Sequence, residues 1–291
     1  MFFKKVIKNI NLILMIAAFF FIFIWIYKNI KIFTNISFEI SFNNLLICLI
    51  FVNLFHFSQI LIWILNFKSF KIDNKFLISK LYFWNNIYNY LPNRIFHFGG
   101  ILLLGKKYGF DIKKSIVVII NFQIFLLISG IIVILPYVDK ILILKDFEII
   151  LWLTIGLFLL VPIFKKYLIY FGINLKFINT KYWYESIMIS VVSWFLYSYG
   201  LFSLFKFLDN DFHMNFLNFN SISVFSNLLG SFVIFMPAGI GALETAFINL
   251  INDIDKAGFF LTALVLFRLL TILSSALLML ILNMTNKNDN T

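Results

Sequence analysis

Apolar residues in this chain run in blocks too long for the strands or amphipathic helices of a water-soluble domain. Six blocks, about residues 10–27, 45–65, 116–135, 148–164, 187–207 and 259–282, carry few or no charges over the roughly 20 residues that one membrane-crossing helix needs. Each predicts a transmembrane α-helix. Two further apolar regions, 81–105 and 222–251, are interrupted by LPNRIFHFGG (91–100) and MPAGIGALE (236–244). The second region is longer than one span and shorter than two. Proline removes a backbone donor and clashes inside a helix, and glycine permits turns. Such breaks persist at membrane depth only where protein or a water-filled cavity satisfies the backbone. Both regions are expected to be re-entrant helical hairpins, broken at Pro92 and Asn93 in the first and at Pro237, Gly239 and Gly241 in the second. Counting each hairpin as two full spans would place the loops on the same sides. The expected fold is all-α: a polytopic transmembrane helical bundle of about six full spans plus two re-entrant hairpins, in one integral membrane domain, 1–291.

Composition agrees. The chain is 62% hydrophobic and 13% charged, against about 25% charged in soluble domains. The net charge of +11 does not point to nucleic acid, because the lysines sit in short flanks between apolar blocks, as the positive-inside rule produces. With the N-terminus in the cytoplasm, sixteen of the 22 lysines fall on cytoplasmic flanks and six on outer ones, beside most of the acidic residues. The first block follows Lys4, Lys5 and Lys8 and lacks a cleavage site, so it is expected to be retained. Cys48, the single cysteine, forms no intrachain disulfide. The many Phe, Ile, Asn and Lys residues follow AT-rich coding, and scattered asparagines are given little functional weight. The order span, span, hairpin, span occurs twice, once from each side. That predicts inverted halves, 1–138 and 139–291, an architecture common in transporters.

Few residues carry chemistry. Both arginines, Arg94 in the first hairpin and Arg268 in the last span, sit in apolar surroundings in a chain that otherwise uses lysine. A guanidinium stays charged and grips phosphate or carboxylate through a fixed fork. Glu244 is the only carboxylate inside an apolar block, where an ion needs a partner or a wet cavity. The simplest arrangement pairs Glu244 with Arg268 and leaves Arg94 for an anionic head group. A pair that only fixes helix packing is the alternative. His97, three residues after Arg94, could help hold a phosphate or simply pack. His56 and His213 lie apart, and no metal-ligand spacing, phosphate loop or dinucleotide fingerprint is present. No cofactor or metal is expected. Asp209 and Asp211, in an outer loop, resemble the acidic pairs of membrane glycosyltransferases but read more simply as a solvated loop.

Three motifs in order resemble the transmembrane region of the lysylphosphatidylglycerol synthase family, flippase-like integral membrane proteins. They are Leu91-Pro92-Asn93-Arg94-Ile95 with Gly99-Gly100, then Pro237-Ala238-Gly239-Ile240-Gly241-Ala242-Leu243-Glu244, then Phe267-Arg268-Leu269-Leu270-Thr271. Asn93 and Ala238 stand where the family carries glycine, Gly100 where many members carry a second arginine, and Ser274 where the closing span often has proline. The resemblance implies movement of an anionic phospholipid or lipid-linked glycan between leaflets through a midplane cavity, with Arg94, His97, Glu244 and Arg268 binding the head group. It also implies a bacterial or archaeal plasma membrane, both termini cytoplasmic, and in some members a separate glycosyltransferase as partner. The soluble aminoacyl-transferase domain of full synthases is absent from this sequence, so transport rather than synthesis is the expectation. A glycosyltransferase using polyprenyl-phosphate sugars and a non-catalytic partner of a neighbouring enzyme are the alternatives.

Overall fold

The computed structural model describes residues 41–89, 94–140, 148–170, 179–232, 239, 241–251 and 256–288. The expected first span, 10–27, lies outside them, as do Pro92, Asn93 and Pro237. Among the described residues there are nine α-helices and no strand: α1 Phe42–Lys68, α2 Lys75–Tyr88, α3 Arg94–Lys107, α4 Ile112–Ile134, α5 Glu148–Tyr170, α6 Thr180–Leu208, α7 Phe216–Phe232, α8 Ala242–Ile251 and α9 Ala257–Asn288. A 3-10 turn, Leu135–Lys140, extends α4. Four segments are long and apolar enough to cross a membrane: Phe42–Lys68, Ile112–Tyr137, Thr180–Leu208 and Ala257–Met284. Helix α5, 23 residues long, covers the block at 148–164. Helix starts follow their capping residues. Asn74, Asp111 and Asn179 accept backbone N–H groups in the first turns of α2, α4 and α6, and Asn215 accepts Leu217 N–H as α7 begins.

The bundle is apolar outside, and within it polar side chains are interleaved with the apolar core. On α1, Leu46, Ile50, Leu54, Phe57 and Leu61 form an exposed stripe, while Val52, His56, Gln59, Trp63 and Asn66 repeat at helical spacing on the buried face. Helix α6 buries Ser186, Ser190 and Ser193 and exposes Met188 and Val192. Water would reverse this arrangement; hydrocarbon imposes it, because only the interior offers hydrogen bonds. The longest interface runs between α1 and α6, which are antiparallel. Ser41 N–H reaches Phe207 O at 3.0 Å at one end, and the Ser58 and Ser193 hydroxyls meet at 2.6 Å further along. Small residues there bring the backbones close. A second core, rich in T-shaped phenylalanine pairs, joins α6, α7, α8 and α9 around Phe205, Phe219, Phe247 and Phe260.

Both hairpin regions are pairs of short helices packed together, α2 with α3 and α7 with α8. At 14, 14, 17 and 10 residues they reach about 21, 21, 25 and 15 Å, each less than the roughly 30 Å hydrocarbon core. In the first pair Gly100 lies on the Tyr88 ring. In the second, Gly230 faces Gly239 and Leu243. The break itself is a glycine turn, with Gly239 at φ +67° and Gly241 at φ +90°.

Packing relates α1–α4 to α6–α9. The contacts α1–α2, α2–α3, α3–α4 and α1–α4 have counterparts in α6–α7, α7–α8, α8–α9 and α6–α9. Between the sets, α4–α6 matches α9–α1 and α4–α7 matches α9–α2. Single bonds follow the same rule. His56 Nε2 on α1 donates to Thr271 O on α9 at 3.0 Å, and Trp194 Nε1 on α6 donates to Leu126 O on α4 at 3.0 Å. Thr271 follows Leu126 by 145 residues, the separation of Pro237 from Pro92.

Replacing Gly239 by alanine puts a Cβ into the Gly230 carbonyl at a left-handed φ. It is expected to destabilise the protein by at least about 1 kcal/mol. Gly156, helical with open space around it, should tolerate alanine with a gain of about 0.5–1 kcal/mol. Thermal unfolding of the two variants in detergent should shift in opposite directions.

Candidate functional site

The tips of the second pair of short helices and of α2 converge on a cavity of about 390 Å³. Its walls come from near the middle of all four long helices: Phe55, His56 and Gln59 of α1, Phe122, Gln123 and Leu127 of α4, Trp194 and Tyr197 of α6, and Phe267, Arg268, Thr271 and Ser275 of α9. Tyr82 at the middle of α2 with Asn85, Asn86 and Asn89 toward its end, Asn227 and Ser231 at the end of α7, and Leu243 at the start of α8 complete it. A chamber at half the depth of the spanning helices is therefore capped by broken elements from two sides. Gln123 and Asn89 are exposed as well as lining. Gln123 both lines the chamber and continues the outward stripe of Ile116 and Ile120 on α4.

The lining repeats the relation seen in the packing. Six pairs of wall residues are separated by 145 positions: Tyr82 and Asn227, Asn86 and Ser231, Phe122 and Phe267, Gln123 and Arg268, Leu126 and Thr271, Leu127 and Ile272. On α1 and α6 the pairs His56 with Trp194 and Gln59 with Tyr197 are separated by 138. The cavity thus sits where the two sets of helices meet, with matching positions on opposing walls.

Arg268 supplies its cation. The Nη2 atom lies 3.1 Å from Glu244 Oε1, with side chains 14% and 4% exposed respectively. The other carboxylate oxygen, Oε2, accepts the Gly241 N–H at 2.7 Å. Glu244 therefore closes the glycine turn, sits in the favourable field at the N-terminus of α8, and neutralises Arg268 from the protein side. The ion pair is a contact of charge rather than an aligned hydrogen bond, and neither Nη1 nor Nη2 has a hydrogen-bond partner among the described residues. Both Nη atoms are themselves buried where Arg268 helps to form the cavity wall. Nearby, the Thr271 carbonyl fixes a proton on His56 Nε2, leaving Nδ1 to accept the Tyr82 hydroxyl at 2.9 Å. This histidine is a hydrogen-bonded wall element.

Of the residues singled out in the sequence, Glu244, Arg268 and Gly241 are brought together and Gly239 packs beside them. The side chains of Arg94 and His97 lie outside the described residues, and so do Pro92, Asn93 and Pro237. His213 is exposed in the loop before α7. Asp209 accepts Asp211 N–H in a local turn and pairs with Lys256 at 3.7 Å, an arrangement that explains the acidic pair as loop structure. No cluster of His, Cys, Asp and Glu suited to a metal ion occurs among the described residues. Of the wall amides, Asn85 and Asn86 fall among the asparagines given little functional weight, and Gln59 and Gln123 were not singled out. The signal that could have found them is the run NNIYNYLPN immediately before the first break. No model of a known protein family matches the chain, and no curated protein matches it.

Removing one member of a buried ion pair strands the other. Glu244→Gln is expected to lower stability by about 3–5 kcal/mol, since it leaves the Arg268 charge uncompensated. Glu244→Gln with Arg268→Gln should recover most of the loss, which unfolding in detergent would show as strong coupling between the two sites.

Proposed function

We propose that this protein moves an anionic lipid head group between leaflets, and that Arg268 contacts the charge in transit. The observation that carries this reading is a buried guanidinium, balanced by Glu244, on the wall of a cavity at the middle of the four long helices. Hydrocarbon strongly opposes passage of a phosphate, so a lipid crosses only if its head group enters a polar path while its tails stay outside. Gln123, exposed and yet part of the chamber wall, supports a lateral mouth that would meet both needs. Arg268 suits a phosphate because its fork matches the oxygens in pairs.

Halves of opposite orientation would supply the motion. The antiparallel α1 and α6, the matched packing and the paired wall positions support an inverted repeat, whose rocking exposes a central site to each side in turn. The motif resemblance to flippase-like transmembrane regions points the same way, as does the lysine bias toward the cytoplasmic flanks of a plasma membrane protein. A lipid-linked glycan made by a separate glycosyltransferase and a plain phospholipid both fit the charge. On this reading the chain transports and does not catalyse group transfer.

The test is a reconstitution. In vesicles carrying fluorescent phosphatidylglycerol, wild-type protein should speed exchange between leaflets, measured by dithionite quenching. The folded double variant Glu244→Gln with Arg268→Gln should be slower by about tenfold or more, the value of a lost charge-assisted hydrogen bond. His213→Ala, in the exposed loop, should match wild type. Exchange at the wild-type rate by the double variant would remove Arg268 from the mechanism.

A further inference from the structure

Arg268 and Glu244 balance each other, and that balance leaves no charge over for an anion. Among the described residues that line the cavity Arg268 alone carries a fixed charge, while Glu244 stands behind the wall. One guanidinium and one carboxylate sum to zero. An anion brought to Arg268 therefore gives the site a net negative charge, which a low-dielectric interior strongly opposes.

The surrounding elements supply no second cation. The position matched to Arg268, 145 residues earlier, is Gln123, and the one matched to Glu244 is Gly99, where an added Cβ meets nothing within 4 Å. Helices α7 and α9 pack against α8. The first has no titratable residue, and the second has no charge but Arg268 before Lys287. From α6, Tyr197 reaches the cavity wall, and across from it stand His56 and Tyr82, bonded to each other. Lys206, on the Phe202 ring, and the pair Lys256–Asp209 belong to the other end of α8.

A proton is the compensating charge that remains, and Glu244 is built to take it. Its Oε2 accepts the Gly241 N–H, whereas Oε1 has no hydrogen-bond partner and only the opposed Nη2 of Arg268. Both Nη atoms and Oε1 are buried. If the guanidinium turns from Oε1 toward the cavity, the carboxylate is left uncompensated in a site without bulk water. Protonation of Oε1 removes that charge, and Oε2 keeps the bond that closes the glycine turn. His56 is less suited, because Thr271 O and the Tyr82 hydroxyl already engage both its nitrogens.

We infer that the site binds an anion and a proton together: as Arg268 passes from Glu244 to the anion, Glu244 Oε1 takes up one proton from the aqueous side. This rests on the Arg268 site proposed above and adds its counter-charge. The O–H bond on Oε1 is the only covalent bond formed, and it breaks, returning the proton to water, when the anion leaves and the ion pair closes again. Exchange of a singly charged lipid is then electroneutral, and a proton gradient gives it direction.

Calorimetry of the wild-type protein in detergent reads the proton directly. The probe is dioctanoyl phosphatidylglycerol, a phosphodiester that does not titrate near neutral pH, added in two buffers of unlike ionisation enthalpy. About one proton should be taken up per lipid bound. The complex then holds one proton more than the free protein, so affinity falls as pH rises, with Kd weakening by up to about tenfold per pH unit. Glu244→Gln imitates the protonated carboxyl. It should bind at high pH as tightly as wild type does at low pH, without uptake, and the lipid should raise its melting temperature more than that of wild type at high pH. His56→Asn should still take up the proton. If Glu244→Gln does not fold, the wild-type and His56→Asn titrations still decide. Lipid binding with no uptake and a Kd indifferent to pH would overturn the inference and leave Arg268 as the anion contact. Uptake that survives in Glu244→Gln, or vanishes in His56→Asn while binding remains, would overturn it by placing the proton elsewhere. Absence of binding would remove the head-group site and the inference with it. Proton-linked binding without exchange in vesicles would count against transport alone.

Discussion

The carboxylate of Glu244 ties together the three features on which the site depends. One oxygen holds the Gly241 N–H in the turn that starts α8, and the other lies against Arg268 of α9. In an interior without bulk water neither charge is stable alone, and the turn has a backbone donor that must be satisfied. A single side chain meets both demands. Its consequence is geometric: the short helix is anchored to the long one, and Arg268 is fixed on the cavity wall with its N–H groups not aligned on the carboxylate. The glutamate thus holds the fold, and on the proposed reading the arginine it positions meets the ligand.

What could be read from the sequence follows from how strictly hydrocarbon constrains a chain. A spanning helix needs a fixed apolar length, and an ion in such a block stands out, so the long helices, the interrupted regions and the association of Glu244 with Arg268 were all open to inspection. Polar residues inside the bundle were not. Ser193, Ser198 and Asn220 sit in stretches whose average is still apolar, and only packing shows that they face inward. The asparagines of α2 were hidden for a different reason: in a chain rich in asparagine throughout, Asn85 and Asn86 look like background until the cavity collects them.

The internal relation between the halves was concealed by its arithmetic. The separation is 138 for the wall positions on α1 and α6, and 145 for those on the hairpins and the last helices. The seven added residues are about two helical turns, which preserve the apolar phase while breaking any single alignment register. The paired residues are also unlike in kind. His56 and Trp194 share a task, donating a ring N–H to a backbone carbonyl across the interface, without sharing chemistry.

That difference between shared frame and unshared chemistry bears on how such a chamber can work. Alternating exposure requires two arrangements close in energy, because a deep minimum on either side would trap the cargo. Opposed halves provide this naturally, since contacts broken in one half during the change are remade in equivalent form by the other. A strictly symmetric wall, however, would place two cations around one phosphate and hold it too firmly. With Gln123 at the position matched to Arg268, the described wall residues carry one cation. On the proposed reading, the cargo is then held strongly enough to leave the lipid interface and weakly enough to return to it on the other side.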